Sequence, residues 1–386
     1  MSRRRRGQQG SADSVHFGHK FKKHKPMFWE LLKGKCLLFI TMACLVMSAV
    51  VSILMYHISP RLAAAETETI SLSQGSAEQM SYSTIYKEFA KPFMKERYPN
   101  SKGTKEVVQF MKNSLNESGY SVNEQSFTAK DPDGKALHLT NIWAETKRES
   151  NNKVVLSCHH DSKIMDAHNS PFIAAIDSAI PCAILMYLAA ISGPKGDKKS
   201  CAINDKLEKL DISLVFIFFD GEEAIKKWTA TDSLYGSRYF AENIDSEVKD
   251  FTKNVKLFVL LDLLGSKDPK FNIFHFTHHK CFSKLRGIEN DLKSKKSKSC
   301  NSNLQYDTSY KRNYFSTNML SRASGVSDDH EPFLRKVKNI LHLIPTPFPT
   351  VWHQKTDDED HLHHPTIENL LQIFTQFIQD LSCAFE

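Results

Sequence analysis

The sequence of 386 residues predicts an α/β protein: one globular domain with a central, mostly parallel, twisted sheet flanked by helices, preceded by one transmembrane helix. Three observations support this prediction. Short apolar runs recur along the chain, as expected of strands that are buried on both faces. Segments with apolar residues at helical spacing alternate with these runs. A charge-free stretch of twenty residues precedes them all.

Composition and charge exclude several broad classes of protein. Hydrophobic residues make up 41% of the chain and charged residues 25%, so the chain is not disordered throughout. Eight cysteines are too few for a disulfide scaffold. Residues 1–35 hold ten Lys or Arg and two acids, whereas the other 351 residues hold 41 basic and 42 acidic side chains. We therefore predict a basic tail over 1–35 and no nucleic-acid partner.

The stretch from Cys36 to Met55 contains no charged residue and is long enough to cross a hydrocarbon core of about 30 Å as a helix. It is longer than the ~7–15-residue core of a signal peptide, so we favour an uncleaved signal anchor over 36–58 rather than a cleaved leader. Because the basic tail precedes it, the tail is expected in the cytosol and the rest of the chain across the membrane, a single-pass type II topology. Residues 59–80 are predicted to form a stem.

The globular domain is predicted over 81–386. Helical spacing of apolar residues is found at 81–98, 104–120, 178–192, 232–244 and 365–381. Strand-like apolar runs are found at 154–158, 212–220, 256–264, 271–276 and 339–344. This alternation favours one α/β domain. The basic run 292–303 is predicted to be a surface loop. The one N-x-Ser/Thr sequon after the anchor is at Asn116, which predicts a glycosylation site in a lumenal domain.

Acidic and histidine residues follow one predicted strand after another, where an open α/β sheet binds its ligands. They are His159, His160 and Asp161, then Asp177 before a helix, then Asp220, Glu222 and Glu223, then Asp262, and last His353. A single acid at a strand end is usually a helix cap, but repetition at several strands is not explained by caps. Carboxylate and imidazole ligands suit Zn²⁺, and a glutamate beside a ligand suits a general acid/base. Manganese or cobalt would accept similar ligands.

The order and spacing of seven motifs resemble the glutaminyl-peptide cyclotransferases, which are relatives of the co-catalytic zinc aminopeptidases. The motifs are CHHDSK (158–163), IDSAIPCA (176–183), FDGEEA (219–224), DSLYGSRYFAE (232–242), LLDLLGS (260–266), SDDHEPFLR (327–335) and HLIPTPFPTVWH (342–353). The resemblance covers essentially all of 81–386 and implies a zinc aminopeptidase-like fold. With the N-terminal anchor, it implies the Golgi membrane-anchored form of the family, with a lumenal catalytic domain.

The resemblance implies an acyltransferase that cyclises the N-terminal glutamine, and more slowly glutamate, of peptides and secretory proteins to pyroglutamate. Ammonia, or water in the case of glutamate, is released. One zinc ion is expected as the cofactor. The resemblance assigns the residues as follows: metal ligands Asp177, Glu223 and His353; general acid/base Glu222; proton and hydrogen-bond network Asp262 and Asp328; pocket walls Trp228, Trp352 and Phe348; disulfide Cys158 to Cys182.

Two other functions stay open. A zinc aminopeptidase is one, because His159, Asp177 and Asp262 supply the ligand types for a second zinc. The segments around Asp328 and Trp352 look more like the cyclase branch. A non-catalytic, membrane-anchored binding ectodomain is the other, although every inferred ligand and catalytic residue is present. Two departures from the family pattern are Lys226 and Lys227 before Trp228, which predict a preference for acidic residues downstream of the glutamine.

Overall fold

A computed structural model describes residues 47–48, 79–146, 150–165, 171–195, 203–321 and 325–385. The chain divides into two compact units, residues 1–72 and 73–386. Of the first unit only Met47 and Ser48 are described, and both are helical. The predicted tail, membrane anchor and stem lie almost wholly outside the described residues, so they stay predictions.

Eight strands are described in the second unit. They are β1 (Ser121–Lys130), β2 (Ala136–Glu145), β3 (Asn152–His159), β4 (Ile212–Phe219), β5 (Val255–Leu261), β6 (Phe271–Ile273), β7 (Phe315–Met319) and β8 (Ile340–Leu343). The central sheet has the order β1-β2-β4-β3-β5-β8, and β6 pairs with β7 in a small second sheet. Strands β4, β3, β5 and β8 are parallel, and β2 is antiparallel to both β1 and β4. The predicted central, mostly parallel sheet is confirmed.

The sequence does not predict the β1–β2 hairpin. Strand β2 is mostly buried, but its buried residues include the polar Asn141 and Glu145, which interrupt the apolar pattern. For β1 the reason is exposure. Strand β1 lies at the edge of the sheet, and only Gln125 of its ten residues is fully buried. An edge strand with one solvated face needs few apolar residues, so it leaves a weak pattern. The predicted strand 271–276 also differs, because only Phe271–Ile273 is extended and it belongs to the small sheet.

Eight α-helices are described in the second unit. They are α1 (Tyr82–Ile85), α2 (Lys102–Glu117), α3 (Ile180–Ser192), α4 (Ile203–Lys209), α5 (Tyr235–Glu247), α6 (Phe251–Asn254), α7 (His279–Lys293) and α8 (His364–Gln379). Successive strand residues face opposite sides of a sheet. Accordingly Val154 and Leu156 of β3 pack in a core with α2, α3 and α8, whereas Val155 packs in a second core with α5. Helices therefore cover both faces, as predicted.

Helix α3 and the turn before it form the most deeply buried helical segment. Residues Ala175–Ser192 are long and apolar enough to span a membrane by length and composition, but 94% of this window is buried inside the domain. The turn Ala175–Ala179 is not regular helix, because Asp177 has φ −120° and ψ 71°. This irregular turn presents Asp177 at the end of a core helix.

Two disulfides join distant parts of the described chain. Cys158 at the end of β3 is bonded to Cys182 in α3, with their Cα atoms 5.9 Å apart, which confirms the predicted pair. Cys281 in α7 is bonded to Cys383 near the C-terminus, across 102 residues. The sequence alone could not assign this second pair. Each crosslink restricts the unfolded chain and thereby stabilises the fold.

Candidate active site

The parallel strands deliver the predicted residues to one edge of the sheet. Strand β3 ends at His159, β4 at Phe219 and β5 at Leu261, and the acids follow within a few residues. Carboxyl ends of adjacent parallel strands lie side by side, so residues far apart in the chain meet there. The structure brings eight of the nine predicted metal, catalytic and pocket residues into the wall of one cavity.

Asp177, Glu223 and His353 form a compact group of metal-ligand type. His353 Nε2 lies 3.0 Å from Glu223 Oε1 and 3.4 Å from Asp177 Oδ2. The three ligand atoms lie within 4.8 Å of one another, and both carboxylates are buried. Two carboxylates and one imidazole, with room for a further ligand from the cavity, are a donor set that suits a catalytic Zn²⁺.

The electrostatics of this group also fit a cation. Burial raises the pKa of Asp177, but hydrogen bonds with His159 and His353 outweigh it and hold that pKa well below its ordinary value. Burial lowers the pKa of His353, but the carboxylates of Asp177 and Glu223 outweigh this and raise it to about 9. Without a metal the site therefore holds a proton on His353. A metal ion would replace that proton.

A second group shares Asp177 with the first. His159 Nε2 lies 3.0 Å from Asp177 Oδ1 and 3.4 Å from Asp262 Oδ1, and all three side chains are buried. Asp262 Oδ1 also accepts hydrogen bonds from the Ser178 hydroxyl and from the Leu263 amide. A zinc aminopeptidase would bind its second zinc ion at this group. The geometry is therefore compatible with the aminopeptidase alternative.

Glu222 and Glu223 are oriented by the turn that follows β4. Gly221 has a φ of +72°, and a Cβ there would lie 3.1 Å from a Leu139 methyl, so a side chain is disfavoured. The Asp161 carboxylate accepts both backbone amides, from Glu222 at 3.1 Å and from Glu223 at 3.2 Å. Asp161 therefore aligns the two glutamates from the neighbouring strand.

Glu222 is suited to carry a proton. Its side chain is buried, and burial raises its pKa well above the ordinary value, with the nearby carboxylates of Glu223 and Asp328 acting in the same direction. A carboxyl group with a raised pKa can both accept and donate a proton near neutral pH. This is the property that a general acid/base requires.

Asp328 lies behind the cavity in a buried pair with a histidine. Its Oδ2 is 2.6 Å from His342 Nε2, and its Oδ1 accepts the Asp329 amide at 2.6 Å. Burial and the neighbouring Asp262 carboxyl raise the pKa of Asp328 well above its ordinary value. The His330 ring stacks on His342 with centroids 4.2 Å apart. Asp328 is thus held rigidly, next to the cavity-lining Ser327.

Aromatic side chains form the walls of the cavity, which has a volume of about 300 Å³. The Phe348 and Trp352 rings meet edge to face at 4.8 Å, and Trp352 stacks on His353 at 4.0 Å. Trp228 and Trp352 are 39% and 37% exposed, so they lie at the mouth rather than in the core. The cavity is lined by Asp177, Glu222, Glu223, Trp228, Asp262, Leu263, Gly325, Val326, Ser327, Ile344, Phe348, Trp352 and His353.

The loop that carries Trp228 is anchored by Asp232. Its carboxylate accepts the backbone amides of Ile225 at 2.8 Å, Lys226 at 3.0 Å and Lys227 at 2.9 Å. Neither lysine lines the cavity, and Lys226 Nζ is 2.5 Å from Asp133 in the β1–β2 turn. Lys226, one of the two lysines that predict a preference for acidic substrates, is therefore already paired with a carboxylate of the protein.

Two positioning residues are missed by sequence reasoning. Arg97 is fully buried, and its guanidinium donates to the carbonyls of His160 at 2.9 Å, Ile173 at 2.7 Å and Ala174 at 3.2 Å. Lys163 donates to Glu223 Oε2 at 3.0 Å, on the side opposite His353. Arg97 gives no signal because it lies in a helix-like polar segment. Lys163 belongs to the motif CHHDSK and could have been found there.

The predicted glycosylation site is accessible. Asn116 lies in the last turn of α2 and is exposed. Its modification stays a prediction.

Comparison with known proteins adds a family to this geometry. The family model described as peptidase family M28 matches residues 141–378, which include all nine predicted metal, catalytic and pocket residues. This match covers more than half of the chain.

Individual relatives are similar over most of the globular unit. The chain is 36% identical over 312 residues to a glutaminyl-peptide cyclotransferase of Bothrops jararaca, covering 78% of this chain and 81% of the relative. It is 36% identical over 303 residues to a glutaminyl-peptide cyclotransferase-like protein of Bos taurus, covering 77% and 75%. A crystal structure of Macrostomum lignano glutaminyl cyclase superposes with a TM-score of 0.66 at 30% identity, covering 79% of this chain and 92% of that one.

Proposed function

The chain belongs to the glutaminyl-peptide cyclotransferases of peptidase family M28, and we propose that it converts the N-terminal glutamine of peptides and proteins into pyroglutamate. One observation carries this proposal. The cavity places the buried carboxyl of Glu222 beside a carboxylate and imidazole ligand set, under aromatic walls sized for one small residue. An N-terminal glutamine is the reacting part of the substrate and fits such a pocket.

We propose that one zinc ion is held by Asp177, Glu223 and His353. When bound, it would act as a Lewis acid toward the side-chain amide carbonyl of the substrate. The Lys163 ammonium donates to the Glu223 oxygen that His353 does not contact, and this fixes the orientation of the ligand. Fixed ligands of this kind raise metal affinity.

Glu222 is the proton carrier in the proposed reaction. The substrate's α-amine nitrogen forms a bond to its own side-chain amide carbon, and the bond from that carbon to the amide nitrogen breaks. Glu222 accepts the proton that the amine loses and returns it to the departing nitrogen, which leaves as ammonia. One carboxyl group serves both steps, because the proton is taken up and returned within one turnover.

The remaining residues hold the substrate in its reactive shape. Asp262, fixed by the Ser178 hydroxyl, is the proposed acceptor for the amine and amide hydrogens, and Asp328, paired with His342 behind the cavity, completes the proposed proton and hydrogen-bond network. Trp228, Trp352 and Phe348 enclose the side chain so that the amine meets the carbonyl, an effect of proximity. The same walls limit access of water to the reacting carbon.

We extend the proposal to N-terminal glutamate and to a Golgi location. Glutamate would react more slowly, with water leaving instead of ammonia, because an ionised carboxylate is a poor electrophile. The disulfides Cys158 to Cys182 and Cys281 to Cys383 suit an oxidising compartment. Together with the predicted anchor over 36–58, they support a type II membrane protein of the Golgi with a lumenal catalytic domain.

Mass spectrometry of a Gln-initiated peptide incubated with the purified zinc-loaded enzyme tests the proposal. We expect a mass loss equal to one ammonia with the peptide at full length, and no loss with Glu222→Gln. The second candidate, a zinc aminopeptidase, is favoured by the group of His159, Asp177 and Asp262. It predicts release of the free first residue instead. That product, or an unchanged peptide, would overturn the cyclase assignment.

A further inference from the structure

A second cavity, which we call the outer groove, adjoins the active-site cavity. Its volume is about 620 Å³, and Trp228 and Ser327 line both cavities. The Trp228 side chain therefore separates the two spaces while it remains 39% exposed. The outer groove has no part in the mechanism described above.

The outer groove has apolar lining residues, and hydrogen bonds hold one of its walls in place. Leu234, Ala241 and Pro332 supply apolar lining. Arg238 donates to the carbonyls of Ala230 at 2.8 Å and Ser233 at 2.7 Å, so its guanidinium holds the turn that follows Trp228. These hydrogen bonds make the groove a preformed feature.

The charges at the groove favour a cation in it. Glu242 and Glu331 line the groove and are exposed, and neither has an ion-pair partner within 4.0 Å in the described part of the chain. Lys336 also lines the groove, but it lies 3.6 Å from Asp245. Arg238 is the other cation, and it is engaged with backbone carbonyls. The lining thus has two carboxylates and two cations, and both cations are already engaged by groups of the protein, Lys336 by Asp245 and Arg238 by carbonyls.

We propose that the outer groove binds the residues that follow the N-terminal glutamine of the substrate, and that it favours a lysine or arginine there over an acidic residue. The proposal rests on the proposed cyclase function. A peptide whose first residue fills the active-site cavity must leave by its open mouth, where Trp228 and Ser327 lead into the groove. An extended chain advances about 3.3–3.6 Å per residue, so the next few residues can lie in it.

This preference is opposite to the one that Lys226 and Lys227 predict from sequence. Neither lysine lines the active-site cavity or the outer groove, and Lys226 is paired with Asp133. Of the charged groups that line the groove, Lys336 and Arg238 are engaged within the protein, and the other two, Glu242 and Glu331, are acidic. In this proposal, the side chains that line the groove determine the preference, and the lysines that precede Trp228 in sequence do not.

Steady-state kinetics on the zinc-loaded enzyme test the proposal with three substrates. They are a Gln dipeptide amide, a Gln-initiated pentapeptide with lysine at positions 3 to 5, and the same pentapeptide with glutamate there. We expect kcat/KM to be about three- to tenfold higher for the lysine peptide than for the glutamate peptide at low salt, the range for two exposed ion pairs. Salt should reduce the difference, because it screens exposed charges.

Two variants and one control locate the effect. The double variant Glu242→Gln with Glu331→Gln should remove the lysine preference and leave the dipeptide unchanged. Glu117→Gln, an exposed acid in α2 on no cavity wall described here, is the matched control and should keep the preference. Ala230→Trp, which fills the groove at its exposed edge, should raise KM for both pentapeptides severalfold but not for the dipeptide.

The outcomes separate this proposal from the one on which it rests. Normal dipeptide turnover with equal kcat/KM for the two pentapeptides, or a preference that survives the double variant, overturns the outer-groove proposal alone. No cyclisation of any of the three substrates overturns the cyclase function, and the outer-groove proposal with it.

Discussion

Glu222 and Glu223 are neighbours in sequence but have different surroundings, and this explains how one can be a base and the other a ligand. The Glu223 carboxylate lies between the Lys163 ammonium, 3.0 Å from its Oε2, and the His353 ring, 3.0 Å from its Oε1. For Glu222, burial raises the pKa well above the ordinary value and outweighs the opposite effect of the nearby His159. The two adjacent glutamates are therefore suited to different proposed roles, because their side chains have different neighbours.

Substituting each glutamate separately should separate these roles. Glu222→Gln removes the proton carrier, so kcat should fall by about 10²- to 10⁴-fold with the zinc content unchanged. Glu223→Gln removes a ligand and should lower the zinc content as well as the activity. Turnover and metal analysis on the same samples check both. An active Glu222→Gln enzyme with normal zinc would exclude Glu222 as the acid/base.

His160 makes stability depend on pH in a direction that can be predicted. It is fully buried, its Nε2 lies 3.0 Å from the Thr140 carbonyl oxygen, and burial lowers its pKa from 6.5 to about 4. The unfolded chain therefore binds a proton below pH 6.5 that the folded chain does not. Stability from this residue is complete above pH 6.5 and is lost as the pH falls toward 4.

The test compares thermal unfolding of the wild type and His160→Gln between pH 7 and 4.5. Glutamine can keep a donor toward Thr140 but does not titrate in this range. The wild type should lose about 1.4 kcal/mol more than the variant for each pH unit below 6.5, until the folded-state pKa is reached. Equal pH slopes for the two proteins would show that His160 is already charged in the folded state.

At the scale of elements, the site depends on loops that are held by side chains from elsewhere. Asp161 in the β3 loop aligns the β4 turn, Asp232 holds the Trp228 loop, and Arg97 holds the segment before Asp177. Each of these residues saturates backbone groups that a loop cannot pair by itself. The parallel sheet sets the position of the site, and these three side chains set its detailed shape.

Arg97 should be the most sensitive of the three residues. Arg97→Met leaves several buried carbonyls without a donor, and we expect a loss of about 2–4 kcal/mol in the free energy of unfolding. Chemical denaturation measures it. Arg97→Lys keeps the charge but not the forked donors, so it should recover only part of the loss. The matched control is Arg335→Lys at an exposed position, where we expect less than about 0.5 kcal/mol.

The Asp232 clamp should affect binding more than chemistry. Asp232→Ala removes the acceptor of three amides and frees the loop that carries Trp228. We expect KM for a Gln dipeptide to rise severalfold while kcat changes little, because Trp228 encloses the substrate without taking part in proton transfer. A fall in kcat alone would place Asp232 in the chemistry instead.

At the scale of the whole molecule, the C-terminus is tied to the domain by the disulfide between Cys281 and Cys383. It closes a loop across 102 residues, and such a loop loses much entropy when crosslinked in the unfolded state. Replacing both cysteines with serine should lower the free energy of unfolding by about 2–4 kcal/mol. Activity at 25 °C should be retained, since neither cysteine lines the active-site cavity. An unchanged denaturation midpoint would show that this crosslink does not stabilise the folded protein.

The sequence predicts those parts of the structure whose residues carry a local pattern, and it does not predict those that depend on contacts between distant segments. Apolar runs such as 212–220 report burial on both faces, so the central strands and the site edge are predictable. In the β1–β2 hairpin, β1 is mostly exposed and buried polar residues interrupt the apolar run of β2, so the hairpin leaves little pattern. The proposed roles of Glu222 and His353 depend on the resemblance of whole motifs to a known family. Arg97 and the outer groove depend on contacts between segments distant in the chain, which one sequence does not display.

The apolar segment Ala175–Ser192 has a consequence for biosynthesis. In the proposed type II topology, the chain is threaded through a protein-conducting channel. The segment then emerges before its sheet partners are all made, when it resembles a stop-transfer sequence. Asp177, near the start of the segment, opposes release into lipid, because a carboxylate is costly in a bilayer. Removing that charge would abolish a proposed metal ligand and, in that topology, also favour mislocalised chains. Loss of activity in cells that express an Asp177 variant would then have two causes, impaired catalysis and mislocalised protein. Activity measured on purified protein separates the two.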